Sequence, residues 1–181
     1  VGAAPAAPAQ GEIDKVAKLI AGAEFPLIIT SSAGISAAGF HALASLAGKA
    51  VLPVVQQDAY TNNLPSSHPM NLGYEISKPL LEKADVILMF DTKVPWSPQH
   101  MMPRKNATVV HIGPDPLIAQ VPFHAFRPDI AVAGSPVLAM PMLEKAIVAA
   151  QKSKQKSVEA RAGAVAELRA AYVAAGAKQL E

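Results

Sequence analysis

The 181-residue chain contains no cysteine, which excludes disulfides, zinc–thiolate sites, iron–sulfur clusters and a thiol nucleophile. Aromatic residues make up only 5% of it and the net charge is +2, so a nucleic-acid-binding surface is not expected. No apolar run approaches the roughly 18 residues that a membrane-spanning helix needs. We therefore expect neither nucleic acid nor a membrane as a partner. A cytoplasmic location fits the absence of cysteine.

Apolar residues account for 51% of the chain, and they form short continuous runs separated by helical or polar stretches. Strands of a parallel sheet are buried on both faces and give such runs. We predict an α/β fold with a doubly wound parallel sheet. Its strands lie near residues 26–30, 50–55, 85–90, 107–112 and 130–132.

Three regions follow from composition. Residues 1–10 are rich in Ala and Pro and are typical of a linker, residues 11–151 form the folded domain, and residues 152–181 are a helical linker or tail with a thin apolar face. Within the domain, the spacing of the apolar residues predicts several helices. They are 12–21, 37–47 with Gly48 ending the helix, a short helix after Ser77, and 136–151 with a late start or a kink at Pro141. Residues 56–73 and 93–106 are predicted loops.

Side chains that follow the carboxyl ends of parallel strands converge on one crevice, where such folds bind ligands. Backbone N–H groups in a strand-to-helix turn can bind an anion, which makes the turn Ser31, Ser32, Ala33 and Gly34 a candidate cofactor site. The turn lacks the GxGxxG pattern, and we favour a simple tight turn without a ligand. Asp91 and Asp115 follow two further strands and are candidates to hold a ribose hydroxyl, although each also fits an ordinary turn.

The sequence offers no catalytic or metal-binding residues that we can name. It has no HExxH or similar histidine pair and no GxSxG elbow.

Several segments, taken in order, resemble the central domain of thiamine-diphosphate-dependent enzymes of the acetolactate synthase, pyruvate oxidase and benzoylformate decarboxylase group. The similarity covers roughly residues 12–150. Residues 64–73 are similar to the family's P-x-x-H-P-x-x-x-G stretch, and residues 109–116 to its ID-x-DP strand and turn. The other matching segments are 25–34, 43–51 and 81–88.

The resemblance implies a Rossmann-like sheet of about six parallel strands, of the deoxyhypusine synthase-like NAD/FAD-binding fold. It also implies a longer parent enzyme, acetolactate-synthase-like, that acts on 2-oxo acids as a lyase or transferase. In the parent, a pyrimidine-binding domain precedes this chain and a diphosphate-binding domain follows it. Thiamine diphosphate and magnesium would lie between those two domains of neighbouring subunits, in a homo-oligomer that is a dimer or tetramer. This chain would be a non-catalytic scaffold and subunit-contact domain, inactive alone.

Two departures from the family pattern argue against FAD in this domain, and only slightly less against ADP. The turn at 31–34 lacks the glycines of FAD-binding relatives, and Asp91 stands where those relatives have a GAR motif. The alternative function is an independent nucleotide-binding module for NAD, FAD or ADP, built on the turn at 31–34, Asp91 and Asp115. A sirtuin-like deacylase is a weaker alternative, since the zinc cysteines and a catalytic histidine motif are missing.

Overall fold

Five parallel strands form one sheet in the order β2-β1-β3-β4-β5. The computed structural model describes residues 4–119 and 126–178. The strands are β1 (Pro26–Thr30), β2 (Val54–Val55), β3 (Val86–Phe90), β4 (Thr108–Gly113) and β5 (Ile130–Ala133). β1 and β3 are buried along their whole length, as a strand covered on both faces must be. The predicted α/β class is confirmed, with five strands among the described residues where the resemblance implied about six.

Helices cover the sheet on both faces. They are α1 (Gln10–Gly22), α2 (Ala37–Ala50), α3 (Lys78–Lys83), α4 (Pro136–Gln151) and α5 (Gln155–Lys178). α4 packs against both α1 and α2, so these three share one face. The chain reverses direction across the sheet after β2, and right-handed crossovers then place α3 on the opposite face. Among the described residues, no helix is both long and apolar enough to cross a membrane.

Two predicted boundaries were wrong. α2 does not end at Gly48 but continues to Ala50, and Val51 ends it in the left-handed conformation with a φ of 54°. A Cβ at Gly48 would lie 3.5 Å from the His68 ring, an ordinary van der Waals contact, so neither space nor backbone conformation requires a glycine there. The second strand shrinks from the predicted 50–55 to Val54–Val55, since the preceding residues still belong to the helix and its cap.

A segment predicted as loop extends the sheet's hydrogen bonding. Residues 70–73 run parallel to β2: the Val54 N–H donates to the Met70 carbonyl at 2.8 Å, and the Leu72 N–H donates to the Val54 carbonyl at 2.9 Å. The outer edge of β2 is therefore paired, which sequence periodicity alone did not indicate because this stretch is polar and rich in proline.

α4 carries Pro141 inside it and still begins at Pro136. The predicted helix at 136–151 is confirmed, and of the two alternatives for Pro141 the late start was wrong. Pro141 lies on the exposed side of the helix, so the backbone carbonyl that it leaves without a helical donor can be solvated.

Candidate functional site

A cavity of about 680 Å³ opens at the carboxyl edge of the sheet, in front of β1 and β3. Chain connections leave these neighbouring strands in opposite directions, so the cavity occupies the topological switch point at which open α/β sheets bind ligands. Residues that follow four different strands line it. They include Ser31, Ser32, Asp58, Tyr60, Asp91, Thr92, Lys93, His111 and Asp115.

The structure brings together four of the six predicted site residues. Ser31, Ser32, Asp91 and Asp115 line the cavity, whereas Ala33 and Gly34 do not. Ala33 is buried in the hydrophobic core. Gly34 packs so closely on the following loop that a Cβ would lie 2.5 Å from the Asn63 Cα atom.

Hydrogen bonds within the protein already engage two of the four N–H groups of the predicted anion-binding turn. The Ala33 N–H donates to Thr30 Oγ1 at 3.1 Å, and the Gly34 N–H donates to Asn63 Oδ1 at 2.8 Å. A phosphate would have to displace these acceptors to bind there. The turn therefore has the geometry of a tight structural connection.

Asn63 and Gln56 hold this turn in place, and sequence reasoning missed both. Asn63 is fully buried and its Nδ2 donates to the Ser31 carbonyl at 3.0 Å. Gln56 is also fully buried, and its Oε1 accepts from the Asn63 N–H at 2.8 Å. Both residues lie in a polar stretch with no periodicity, where no sequence signal distinguishes a buried amide from an exposed one.

The polar wall of the cavity is acidic. Asp58, Asp91 and Asp115 contribute carboxyl groups, and Lys93 is the cation among the lining residues. Burial raises the pKa of Asp91 above its usual value because its charged form is poorly solvated. The Asp91 backbone has a φ of 43°, a left-handed conformation that Asp and Asn tolerate better than most side chains.

Two buried polar contacts order the floor of the cavity. His111 on β4 is almost fully buried, with its Nδ1 atom 2.8 Å from the Pro116 carbonyl oxygen. The Ser31 hydroxyl lies 2.9 Å from Thr92 Oγ1 and donates 2.7 Å to the Gln57 carbonyl. Sequence reasoning did not propose His111 as a site residue because the chain has no histidine pair motif. Its position at the cavity follows from the pairing of β4 with β3.

The cavity does not fit a magnesium-bound diphosphate. Its carboxylates would repel the anion, and the Ala33 and Gly34 N–H groups of its turn are engaged. Within residues 4–119 and 126–178, no three His, Cys, Asp or Glu side chains form a group that could hold a metal ion. We therefore derive no reaction step through thiamine diphosphate or magnesium at this site.

A family model described as the thiamine pyrophosphate enzyme central domain matches residues 13–143 of the chain. The chain belongs to this family. The resemblance inferred from the ordered segments is thereby confirmed, and with it the dependence of the parent's family on thiamine diphosphate and the presence of further domains in the parent.

Two curated relatives are sulfoacetaldehyde acetyltransferases. The protein from Castellaniella defragrans is 33% identical over 114 residues, which are 57% of this chain and 19% of that relative. The protein from Roseovarius nubinhibens is 37% identical over 95 residues, which are 48% of this chain and 16% of that relative. The chain thus spans less than a fifth of the length of these relatives.

Among solved structures, benzoylformate decarboxylase from Polynucleobacter necessarius is similar, with a TM-score of 0.65 and 18% sequence identity. The likeness covers 81% of this chain and 29% of that one. At this identity the likeness shows the fold alone, and it agrees with the parallel sheet described above.

Proposed function

We propose that this chain is the non-catalytic central domain of a thiamine-diphosphate- and magnesium-dependent enzyme that acts on 2-oxo acids, in the manner of acetolactate synthase. Its role is to position the flanking pyrimidine-binding and diphosphate-binding domains and to contribute contacts between subunits of a homodimer or homotetramer. The observation that carries the proposal is the match to the central-domain model over most of the folded region.

The cavity supports a scaffold role over catalysis by this chain. Its carboxylates and its engaged N–H groups are poorly suited to a diphosphate, and the cofactor supplies the carbon–carbon chemistry in such enzymes while the protein orients it. The lyase or transferase activity of the parent is therefore assigned to domains outside this chain. The bounds of the domain at residues 11–151, with linkers on either side, are part of the same proposal, as is the cytoplasmic location.

Acyl transfer is a second candidate reaction for the parent. The observation that favours it is the identity of 33% and 37% to two sulfoacetaldehyde acetyltransferases. An independent module for NAD, FAD or ADP has less support, because two of the N–H groups in the turn that would bind the phosphates are engaged within the protein.

A thermal-shift titration tests the scaffold assignment. A ligand at about 100 times its dissociation constant stabilises a fold by roughly 2.7 kcal/mol. We expect no shift of the 181-residue chain with NAD, FAD, ADP or thiamine diphosphate plus magnesium. A shift with FAD or ADP would favour the nucleotide-binding alternative. Assays of the longer protein with pyruvate and with sulfoacetaldehyde would then separate the two candidate reactions.

A further inference from the structure

Four large apolar side chains are exposed at the carboxyl edge of the sheet, each on the loop after a different strand. They are Ile35, Tyr60, Val94 and Leu117, with exposed fractions of 70%, 75%, 48% and 59%. We call these four residues the apolar rim. Tyr60 and Val94 also line the cavity. Single exposed apolar residues are ordinary, but a group of them around a concave site marks an interaction surface.

Because the wall of the cavity is acidic, a partner that binds this surface should carry positive charge. Asp91 is partly withdrawn from water, which raises its pKa, and Asp58 and Asp115 lie on the same cavity. A Lys or Arg side chain entering the cavity would offset the desolvation of Asp91 by direct pairing. The surface that complements this edge is therefore apolar at the rim and basic at its centre.

Both terminal segments reach this same edge. Near the N-terminus, the Ala6 carbonyl accepts a hydrogen bond from the Ser135 N–H at 2.8 Å, and Pro8 packs on Gly134, just beyond the carboxyl end of β5. At the other end, α5 rises from the amino end of β1, where Arg161 binds the Ala23 carbonyl.

α5 then reaches the level of the carboxyl edge. The Tyr172 ring packs on Gly73, whose carbonyl accepts from the Gln56 N–H directly after β2. The described parts of both terminal segments therefore reach the edge of the sheet on which the apolar rim lies, and the curated relatives are more than five times as long as their matched regions.

We propose that the apolar rim and the acid-lined cavity receive another domain of the same, longer polypeptide, through a surface that carries apolar side chains around a Lys or Arg. This inference rests on the proposed function, which supplies the further domains. It places the interface at one edge of the sheet and not along the whole of the loops predicted at 56–73 and 93–106. Most of residues 93–106 would stay outside the interface.

Site-resolved thiol labelling tests the proposal, and the absence of cysteine from this chain makes it a clean background. Tyr60→Cys and Leu117→Cys place a thiol on the rim. Met102→Cys is the matched control, because Met102 is 53% exposed but lies near Arg104, whose guanidinium approaches Asp85 at the amino end of β3. Each variant is made in the longer protein and in the 181-residue chain. Maleimide modification is followed by mass spectrometry of the labelled peptide.

In the longer protein, we expect both rim thiols to react at least tenfold more slowly than the control thiol. In the 181-residue chain, all three should react within about twofold of one another. Equal rates at all three positions in the longer protein would overturn the proposal. Protection of the rim in the 181-residue chain itself would mean that a second copy covers it, which would also contradict the proposal.

The proposed function and this inference can be contradicted independently of each other. If the longer protein binds no thiamine diphosphate yet protects the rim thiols, the docking surface stands and the assignment of the cofactor does not. If it binds thiamine diphosphate and leaves the rim thiols reactive, the reverse holds.

Discussion

The two edges of the sheet are built in opposite ways. At the amino edge, polar groups are paired at close range: Asp85 accepts from the Glu24 and Phe25 N–H groups at 2.6 and 3.0 Å, and Arg161 donates to the Ala23 carbonyl at 2.7 Å. At the carboxyl edge, three carboxyl groups line a cavity and large apolar side chains face outward. The charged groups of the amino edge thus mostly bind groups of the same chain, although Arg104 Nε and Arg161 Nη1 are buried without a partner among the described residues. The carboxyl edge is open.

The contrast separates stability from interaction. The amino edge uses charged side chains to satisfy backbone groups of its own chain, which leaves little for a partner to bind. The carboxyl edge keeps a desolvated carboxylate and exposed apolar surface, both of which lower the stability of the isolated chain and favour association. Removal of a charged side chain should therefore destabilise the chain at the amino edge and stabilise it at the carboxyl edge.

The largest effect is expected from the backbone of the carboxyl edge. In Gly39→Ala, the added Cβ would overlap the Ala33 carbonyl oxygen, because the start of α2 packs directly on the turn. We expect a loss of more than about 3 kcal/mol in the free energy of unfolding, above the usual range for overpacking, as measured by urea denaturation.

Gly163→Ala in α5 is the matched control for Gly39→Ala, since nothing lies within 4 Å of the added methyl group. It should stabilise the chain by up to about 1 kcal/mol through helix propensity. An equal change in the free energy of unfolding for both variants would mean that the turn beneath the cavity is not rigidly packed. The same packing argument applies to Gly34, so Gly34→Val would disturb the fold and cannot serve as a test of ligand binding alone.

At the amino edge, Arg161→Ala should be the next most damaging change. Arg161 is 2% exposed and donates to the Ala23 and Glu24 carbonyls, which would lose their partners. We expect a loss of about 2 to 3 kcal/mol in unfolding free energy, given the penalty for unsatisfied buried groups. Lys156→Ala, at an exposed position of the same helix, is the control. If Arg161→Ala were as stable as the wild type, the proposed difference between the two edges would be wrong.

Protonation of His68 should loosen the segment that pairs with β2. Burial lowers the pKa of His68, and the Arg169 guanidinium lowers it further against the opposing effect of the Ala44 carbonyl. Its Nδ1 atom accepts from the Met70 N–H at 3.2 Å, which a protonated ring cannot do. Since the folded pKa lies below the unfolded one, stability is full above about pH 6.5 and falls as the pH drops below it.

The loss at low pH should be on the order of 1 kcal/mol, the net contribution of one hydrogen bond. Urea midpoints measured from pH 7.5 to pH 5 check it. His68→Gln should be less stable at pH 7.5 and should show a flatter profile. A variant profile as steep as that of the wild type would show that another group controls the transition.

The smallest effect should be a gain, at the carboxyl edge. Asp91→Asn removes a carboxyl group whose pKa burial raises, and Asn is well suited to a φ of 43°. The folded pKa of Asp91 exceeds the unfolded one, so its charge lowers stability once the pH rises through the unfolded value near 3.8. We expect roughly 0.5 kcal/mol of stabilisation at pH 7, vanishing at low pH. Destabilisation at pH 7 would argue against a strained, desolvated carboxylate.

The strands could be predicted because a strand buried on both faces is a continuous run of apolar residues, as in Val86–Phe90. The sequence also placed Ser31, Asp91 and Asp115 at the same edge, since strand ends converge in a parallel sheet. It could not separate Ser32, which lines the cavity, from Gly34, which packs on Asn63. That difference arises from a loop 29 residues further along the chain.

Longer-range contacts account for the other misses. Gly48 is a typical helix terminator in sequence, yet the helix passes through it, and the His68 ring packs beside it at van der Waals distance. Arg161 sits in a stretch with little apolar character, and its burial depends on carbonyl groups of residues 23 and 24, 138 and 137 positions away. A local sequence pattern carries no information about either of these long-range contacts.

The pairing of residues 70–73 with β2 also affects how copies of this chain can associate. Unpaired outer strands offer open N–H and C=O groups to other chains and are a common starting point for aggregation. Residues 70–73 occupy that position beside β2, and Arg169 of α5 donates to the Asn71 carbonyl at 2.8 Å, which holds them in place. Strand addition to this sheet is therefore blocked at β2, and release of α5 would be the event that first exposes the protein to edge-to-edge association there.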